Sequence, residues 1–398
     1  MELLKIPNPE FLKAKKKLSQ VKKSLEFNIK DSLKKKDCKV GTYKNDYMID
    51  FAELRNIVVF QTAFLGDIVL SLPLVQTLKN LLPNSTITFV SSPIALQILN
   101  YSEAIDKVII FDKRNSHKGL KGIKILSDEI KSLKPDLILS PHRSMRSSLV
   151  NYFAKPKYSV SFNTSSLSFL YDKKVKYHTN LHEIDRNLSL LSPFINNDDF
   201  SANKLIRNLS DVKIRVSKED IDFVQNILRE NNVDTDNFVT LSPGSVWETK
   251  KWPKENYIDL CILLTKQGFS PVLTGSAADS ELCEGIADKS GAINLSGMTT
   301  LIQSIVLLKL SRALISNDSA PAHLAGLVAC PVIMIYGPTS PIFGFYPRGT
   351  KDIVLQDEKL ECRPCAIHGG RKCPLGHFNC MKNISPEMVI DNLSIFFK

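Results

Sequence analysis

Four consecutive apolar residues, Ile57 to Phe60, lead into a short loop through Gly66. Apolar positions then recur at helical spacing: Ile68, Leu72, Val75, Leu78 and Leu82. A short unbroken apolar run reads as a strand buried on both faces, and the change of period marks a strand-to-helix turn. The alternation continues. Thr86–Val90, Lys107–Phe111 and Asp136–Ser140 read as further strands, with helices such as Ser71–Leu82 and Gly122–Leu133 between them. This is the rhythm of a parallel sheet with crossover helices. Residues 155–210, rich in Ser, Asn and Tyr, predict loops and edge strands. Ser217–Asn231 reads as a helix, with Ser217 as N-cap, Glu219 and Asp220 in the first turn, and Ile221, Val224, Ile227 and Leu228 on the apolar face.

A second alternating block follows. Its expected strands are Phe238–Leu241, Ser270–Thr274, Ala292–Leu295, Ala313–Ser316 and Val332–Tyr336. Its expected helices are Tyr257–Lys266, Ser280–Ala287, Leu301–Leu310 and Ala320–Val328. The class is therefore α/β, with two Rossmann-like domains and a cleft between them. The expected segments are a basic extension at 1–50, a first domain at 51–232, a second at 233–385 ending in a Cys-rich tail, and a last helix at 386–398 reaching back to the first domain. No short repeat suggests a solenoid.

Charge adds one feature. The 398 residues carry a net +11, and residues 1–40 alone hold twelve Lys, no Arg and five acidic residues, a net +7. Phe11, Ala14, Leu18, Val21 and Leu25 make this stretch a basic amphipathic helix, either docking on an anionic membrane or packing on the protein's own body. Aromatic residues to stack on bases are sparse there, which argues against nucleic acid. Apolar runs fall well short of the roughly 18 residues of a membrane span. No apolar stretch follows the early lysines as in a signal peptide. Eight cysteines in so long a chain fit a reducing cytoplasm better than a disulfide scaffold.

The candidate chemistry lies at predicted strand ends. Asp67 follows the first strand, where open α/β sheets bind ligands. Its spacing fits a helix cap as well as a reactive carboxylate. In the second block, Pro243-Gly244-Ser245 offers close backbone approach and N–H donors, with Lys250 or Lys251 for charge, a set suited to a diphosphate or to an ordinary turn. Thr274–Asp279 ends in a carboxylate able to hold ribose hydroxyls or to start a helix. In Asn317-Asp318-Ser319-Ala320-Pro321-Ala322-His323, the Ser319 and Ala320 N–H groups face an anion, with His323 one turn in. Arg143 and Arg146 make either a phosphate or carboxylate clamp or a surface pair. The tail reads Cys362-x2-Cys365-x7-Cys373-x6-Cys380, a metal-like start without a second CxxC, with His368 and His377 inside it. There is no Walker loop, and the first turn has no GxGxxG.

Together these motifs resemble glycosyltransferase family 9, the ADP-heptose:lipopolysaccharide heptosyltransferases, in a heptosyltransferase II-like form. The resemblance rests on Thr62-x3-Gly66-Asp67, Arg143-Ser-Met-Arg146, Pro243-Gly244-Ser245 with Lys250-Lys251-Trp252-Pro253, Asn317–His323 with Tyr336-Gly337-Pro338-Thr339, and the cysteine tail. It spans about residues 55–395. It implies a GT-B fold and inverting transfer of heptose from ADP-L-glycero-D-manno-heptose to a lipopolysaccharide inner-core acceptor of lipid A–Kdo type. Asp67 is then the catalytic base. Gly244, Ser245, Lys250, Asp279, Asp318, Ser319, Ala320 and His323 face the donor, and Gly66, Arg143 and Arg146 the acceptor. No cofactor is required, and a metal at the cysteines is left open. The expected place is the cytoplasm, peripheral on the inner face of the inner membrane. A transferase for another nucleotide sugar and a non-catalytic sugar-nucleotide-binding protein are the alternatives.

Overall fold

The first sheet holds six parallel strands: β1 (Asn56–Phe60), β2 (Thr86–Ser91), β3 (Lys107–Ile110), β4 (Leu137–Ser140), β5 (Tyr158–Phe162) and β6 (Lys173–Val175). They are ordered β3-β2-β1-β4-β5-β6. These come from a computed structural model that describes residues 51–195 and 205–397. The expected basic amphipathic helix and the 1–50 extension lie outside the described residues. The second sheet repeats the topology with β7 (Phe238–Ser242), β8 (Ser270–Leu273), β9 (Ile293–Asn294), β10 (Leu314–Asn317), β11 (Val332–Tyr336) and β12 (Ile353–Gln356), ordered β12-β11-β10-β7-β8-β9. Both sheets fall in one compact unit, Asp50–Lys398.

Continuous apolar strands are what two covered faces demand. Ile57, Val58, Val59 and Phe60 are all buried, as is every residue of β7, β10 and β11. Helices Gly119–Ser132 and Met145–Ala154 cover one face of the first sheet, packing Ile123, Leu126, Ile130 and Val150 on Val58, Phe60 and Ile138. Each fully buried side chain of this kind contributes about 1.5–3 kcal/mol, and Phe60→Ala would cost about 3–5 kcal/mol. On the second sheet, Tyr257, Leu260 and Leu264 of helix Lys254–Lys266 pack on Val239, Leu241 and Ile315.

Three expectations change. Helix Lys218–Glu230, capped by Ser217, places Val224, Ile227 and Leu228 against Phe238, Val272, Val306 and Leu307. It belongs to the second block, so the 232/233 boundary is too late. The last helix, Pro386–Leu393, sets Val389, Ile390 and Leu393 in the second block's core instead of reaching back to the first. The helix after β1 is broken in two: Leu65–Val69, then Leu72–Leu81. Pro73 has no N–H to continue the first helix's ladder, and Ser71 Oγ caps the Ile68 carbonyl at 2.7 Å instead.

In both sheets the strand order reverses at the centre, between β1 and β4 and between β7 and β10. Crevices for ligands open at such reversals, beyond the carboxyl ends of the strands.

Candidate active site

The loops after β1, β7, β10 and β11 meet around a cavity of about 230 Å³. Leu65, Gly66 and Asp67 line it from the first block. Ser245, Lys250, Asp318, Ser319, Ala320, His323 and Thr339 line it from the second, and Phe343, Phe345 and His368 complete the wall. A larger cavity of about 370 Å³ lies behind helix Ala320–Gly326, against His182, Arg348 and Lys351. It lacks Asp67, Lys250 and Asp318, which line the smaller one.

Asp67 is not the N-cap of its helix. Phe64 occupies that position, and Asp67 is the third helical residue, in the first turn. Its enclosure raises the carboxyl pKa above the ordinary aspartate value. The charges of His368 and Lys250 and the backbone N–H groups of Asp67 and Phe64 work against that rise. Gly66 is held against the other block: a Cβ there would stand 3.0 Å from His323 Cδ2. His323 itself is buried and neutral. Burial pushes its pKa down to about 4, Lys250 pushes the same way, and Asp318 opposes.

Lys250 and Asp318 form a nearly buried ion pair, Nζ to Oδ2 at 2.6 Å, and Thr339 Oγ1 donates to the same oxygen at 2.7 Å. Lys251 turns outward to Glu248, so Lys250 is the lysine on the cavity. Asn317 ties the loops together. Its Nδ2 donates to the Pro243 carbonyl at 2.9 Å, and its Oδ1 accepts from Trp252 N at 3.1 Å and Tyr257 OH at 3.3 Å.

Four expected site residues lie off the cavity wall. Asp279 Oδ2 accepts from Ser276 N and Oγ in a capping box, and its carboxylate packs over Gly244. Arg143 is exposed, 4.0 Å above the Tyr177 ring, with a hydrogen bond to Thr164 Oγ1. Arg146 is exposed near Lys113, whose pKa falls to about 8 through burial first and the Arg146 charge second. Lys113 Nζ donates to the Thr62 carbonyl. Between them His142 Nδ1 meets Thr62 Oγ1 at 2.9 Å and Ser147 Oγ at 2.7 Å, and burial holds its pKa down at about 3.

Several residues escape sequence reasoning. Glu183 is buried in charge contact with Arg186, Nε to Oε2 at 2.8 Å without hydrogen-bond alignment. Its pKa is pushed up to about 7 by burial, with Arg186 opposing and Asp67 adding. Helix Glu183–Ser189 also joins the blocks: His182 Nε2 meets the Tyr346 carbonyl at 2.9 Å, Glu183 N donates to the Gly344 carbonyl at 2.8 Å, and Arg186 donates to the Phe343 carbonyl. The signal for this helix, His182-Glu183-x2-Arg186, sits in a stretch without apolar rhythm.

Cys362, Cys365, Cys373 and Cys380 are free thiols. Among the described residues no three His, Cys, Asp or Glu side chains gather as a metal ion requires. No described helix is long and apolar enough to cross a membrane.

Residues 125–375 match the family model for glycosyltransferase family 9 (heptosyltransferase). Over 352 residues the chain is 25% identical to lipooligosaccharide heptosyltransferase 2 of Haemophilus ducreyi, covering 85% of this chain and 98% of that protein. It is 30% identical over 161 residues to the Haemophilus influenzae protein of the same name, and this stretch spans 38% of the chain and 45% of that relative. The solved structure of Escherichia coli ADP-heptose LPS heptosyltransferase II shares the fold, with a TM-score of 0.69, 22% identity, and coverage of 86% of this chain and 98% of that one.

Proposed function

The chain belongs to glycosyltransferase family 9, and from that premise we propose that it moves heptose, with inversion, from an ADP-linked donor to a lipopolysaccharide core acceptor. The observation that carries the reading is the division of the cavity. A carboxylate with a raised pKa comes from one block, and a buried Lys–Asp pair with a neutral histidine comes from the other. Inversion at an anomeric carbon needs this separation. The acceptor hydroxyl oxygen attacks C1 from one face, the C1–O bond to the diphosphate breaks on the other, and ADP departs with the bonding electrons. Asp67 takes the hydroxyl proton. A carboxyl above the usual aspartate range is a better match to a base working near neutrality.

Lys250 offsets the charge that grows on the leaving diphosphate, and the Ser245 and Ser319–Ala320 turns supply N–H donors beside it. Until a donor arrives, Asp318 satisfies Lys250. Once the diphosphate takes Lys250, Asp318 is free to accept from donor hydroxyls while Thr339 steadies it. His323, neutral at pH 7, donates or accepts a hydrogen bond without adding charge. Arg143, Arg146 and Lys113 stand at the open end of the first sheet, a basic surface suited to an anionic core oligosaccharide.

Asp67→Ala is expected to abolish transfer while ADP binding by calorimetry stays within a few-fold. Near-normal turnover in that variant would remove Asp67 from its role. The wild-type chain should bind ADP in preference to UDP, and the opposite order would sink the donor assignment. An acceptor of this class suits a place on the cytoplasmic face of the inner membrane, with the basic residues 1–40 as the anchor. Deleting 1–40 should lower sedimentation with anionic liposomes and spare transfer to a deacylated acceptor.

A further inference from the structure

The stretch of cavity wall without a part in the reaction so far is the one supplied by the Cys-rich loop. Three hydrogen bonds join Gly370 to Thr249: Thr249 Oγ1 donates to the Gly370 carbonyl at 3.0 Å, Gly370 N donates to Thr249 Oγ1 at 2.7 Å, and Thr249 N donates to the Gly370 carbonyl at 3.0 Å. Gly369 lies on Trp247 and Lys250: a Cβ on it would be 3.1 Å from each. These contacts lock the loop to the β7 turn and leave His368 projecting over the cavity, its ring 6.5 Å from that of Phe64, the N-cap of the Asp67 helix. Among the described residues, no ion pair or hydrogen bond occupies the His368 ring nitrogens.

We propose that His368 is a positioning residue for the general base: with the two blocks together, its imidazole faces Asp67 across the cavity and keeps that carboxylate ionised. This rests on the proposed transfer reaction. The surroundings of Asp67 leave the task to His368. Lys250 also faces Asp67, but Asp318 neutralises its charge at 2.6 Å. His323, against Gly66, is uncharged. Glu183 and Tyr177, from the segment after β6, place acidic groups on the same side and disfavour a second negative charge. Among the charges acting on Asp67, that of His368 is the strongest in favour of the anion. Asp67 comes from the first block and His368 from the second, so the base is complete only when the cleft is closed.

The test compares wild type, His368→Ala, His368→Gln and His368→Lys in transfer from ADP-heptose to deacylated core acceptor between pH 5 and 9. In the Ala and Gln variants the acidic limb of kcat should move up by about one pH unit, with a loss of about tenfold on that limb and donor KM within about twofold. The Lys variant should return the limb toward wild type. An equal loss at every pH, a rise in donor KM with the limb unmoved, or no change at all would each overturn the proposal. A second readout needs no turnover: ¹³C NMR titration of the Asp67 carboxyl in the ADP-bound protein, assigned with Asp67→Asn. His368→Ala should raise that midpoint, and an unmoved midpoint refutes the pairing. If the wild type transfers no heptose, the reaction assigned above fails while the titration still decides the role of His368.

Discussion

The two strand-order reversals share a topology and differ in how their loops are held. At the β7/β10 reversal the loops are tied by buried groups: Asn317 joins three segments, and Lys250 and Asp318 pair at 2.6 Å under the Thr339 hydroxyl. At the β1/β4 reversal a neutral network of Thr62, His142 and Ser147 is buried on the same side as the enclosed Asp67, and the charged groups Arg143 and Arg146 are exposed. A preset, enclosed site suits a partner of constant structure such as a nucleotide diphosphate. An exposed, adjustable one suits a larger and more variable partner.

Substitutions break this contrast unequally. Lys250→Met should have the largest combined effect on activity and stability. It removes the positive charge from the leaving-group side, for a loss of about 10²–10³ in kcat/KM. It also strands Asp318 in a nearly buried position, at a cost of about 3–5 kcal/mol on unfolding by urea. Adding Asp318→Asn should restore most of the stability and none of the activity. Retained activity in the single variant would mean that the second reversal does not hold the diphosphate.

Asp67→Asn should act in opposite directions on rate and stability. A carboxyl whose folded pKa is raised binds its proton more tightly in the folded state. Stability is therefore lost as pH climbs from the ordinary aspartate value through the folded one. The Asn variant escapes that loss. It should melt higher than wild type at pH 7, and the gain should vanish near pH 3, where both side chains are uncharged. An equal gain at both pH values would show that enclosure does not raise the Asp67 pKa.

Arg143→Ala should give the smallest change. The side chain is exposed, so stability should fall by less than about 1 kcal/mol. Acceptor KM should rise several-fold with donor KM unchanged, and a change in donor KM instead would blur the distinction between the reversals.

Much of the frame was legible because buried parallel strands write themselves as apolar runs. Val332–Tyr336 and Leu301–Leu310 form over the expected residues. The misses have physical causes. β6 begins with exposed Lys173 and Lys174, and β12 is half-covered at the far edge, so neither carries a continuous apolar signal. Periodicity identified helix Lys218–Glu230 correctly, but an apolar face does not state which sheet it will cover. Asp67, Lys250, Asp318 and His323, from separate loop motifs, line one cavity. Gly244 and Asp279 instead pack on each other, because a turn sequence does not encode which way its carboxylate swings. His368 was read with the cysteines beside it. Its approach to Asp67 spans some 300 residues of chain, and no local pattern contains it.

The moorings between His182, Glu183, Arg186 and the carbonyls of Phe343, Gly344 and Tyr346 bear on how such enzymes can be recombined. Phe343 and Phe345 form cavity wall in the second half, yet the backbone that carries them is fastened to a helix encoded in the first. A chimera cut between the sheets would inherit one half of this fastening and lose the other. The module that can be exchanged between relatives is therefore discontinuous in the gene: a second half travels intact only with its own copy of the segment around residues 182–186.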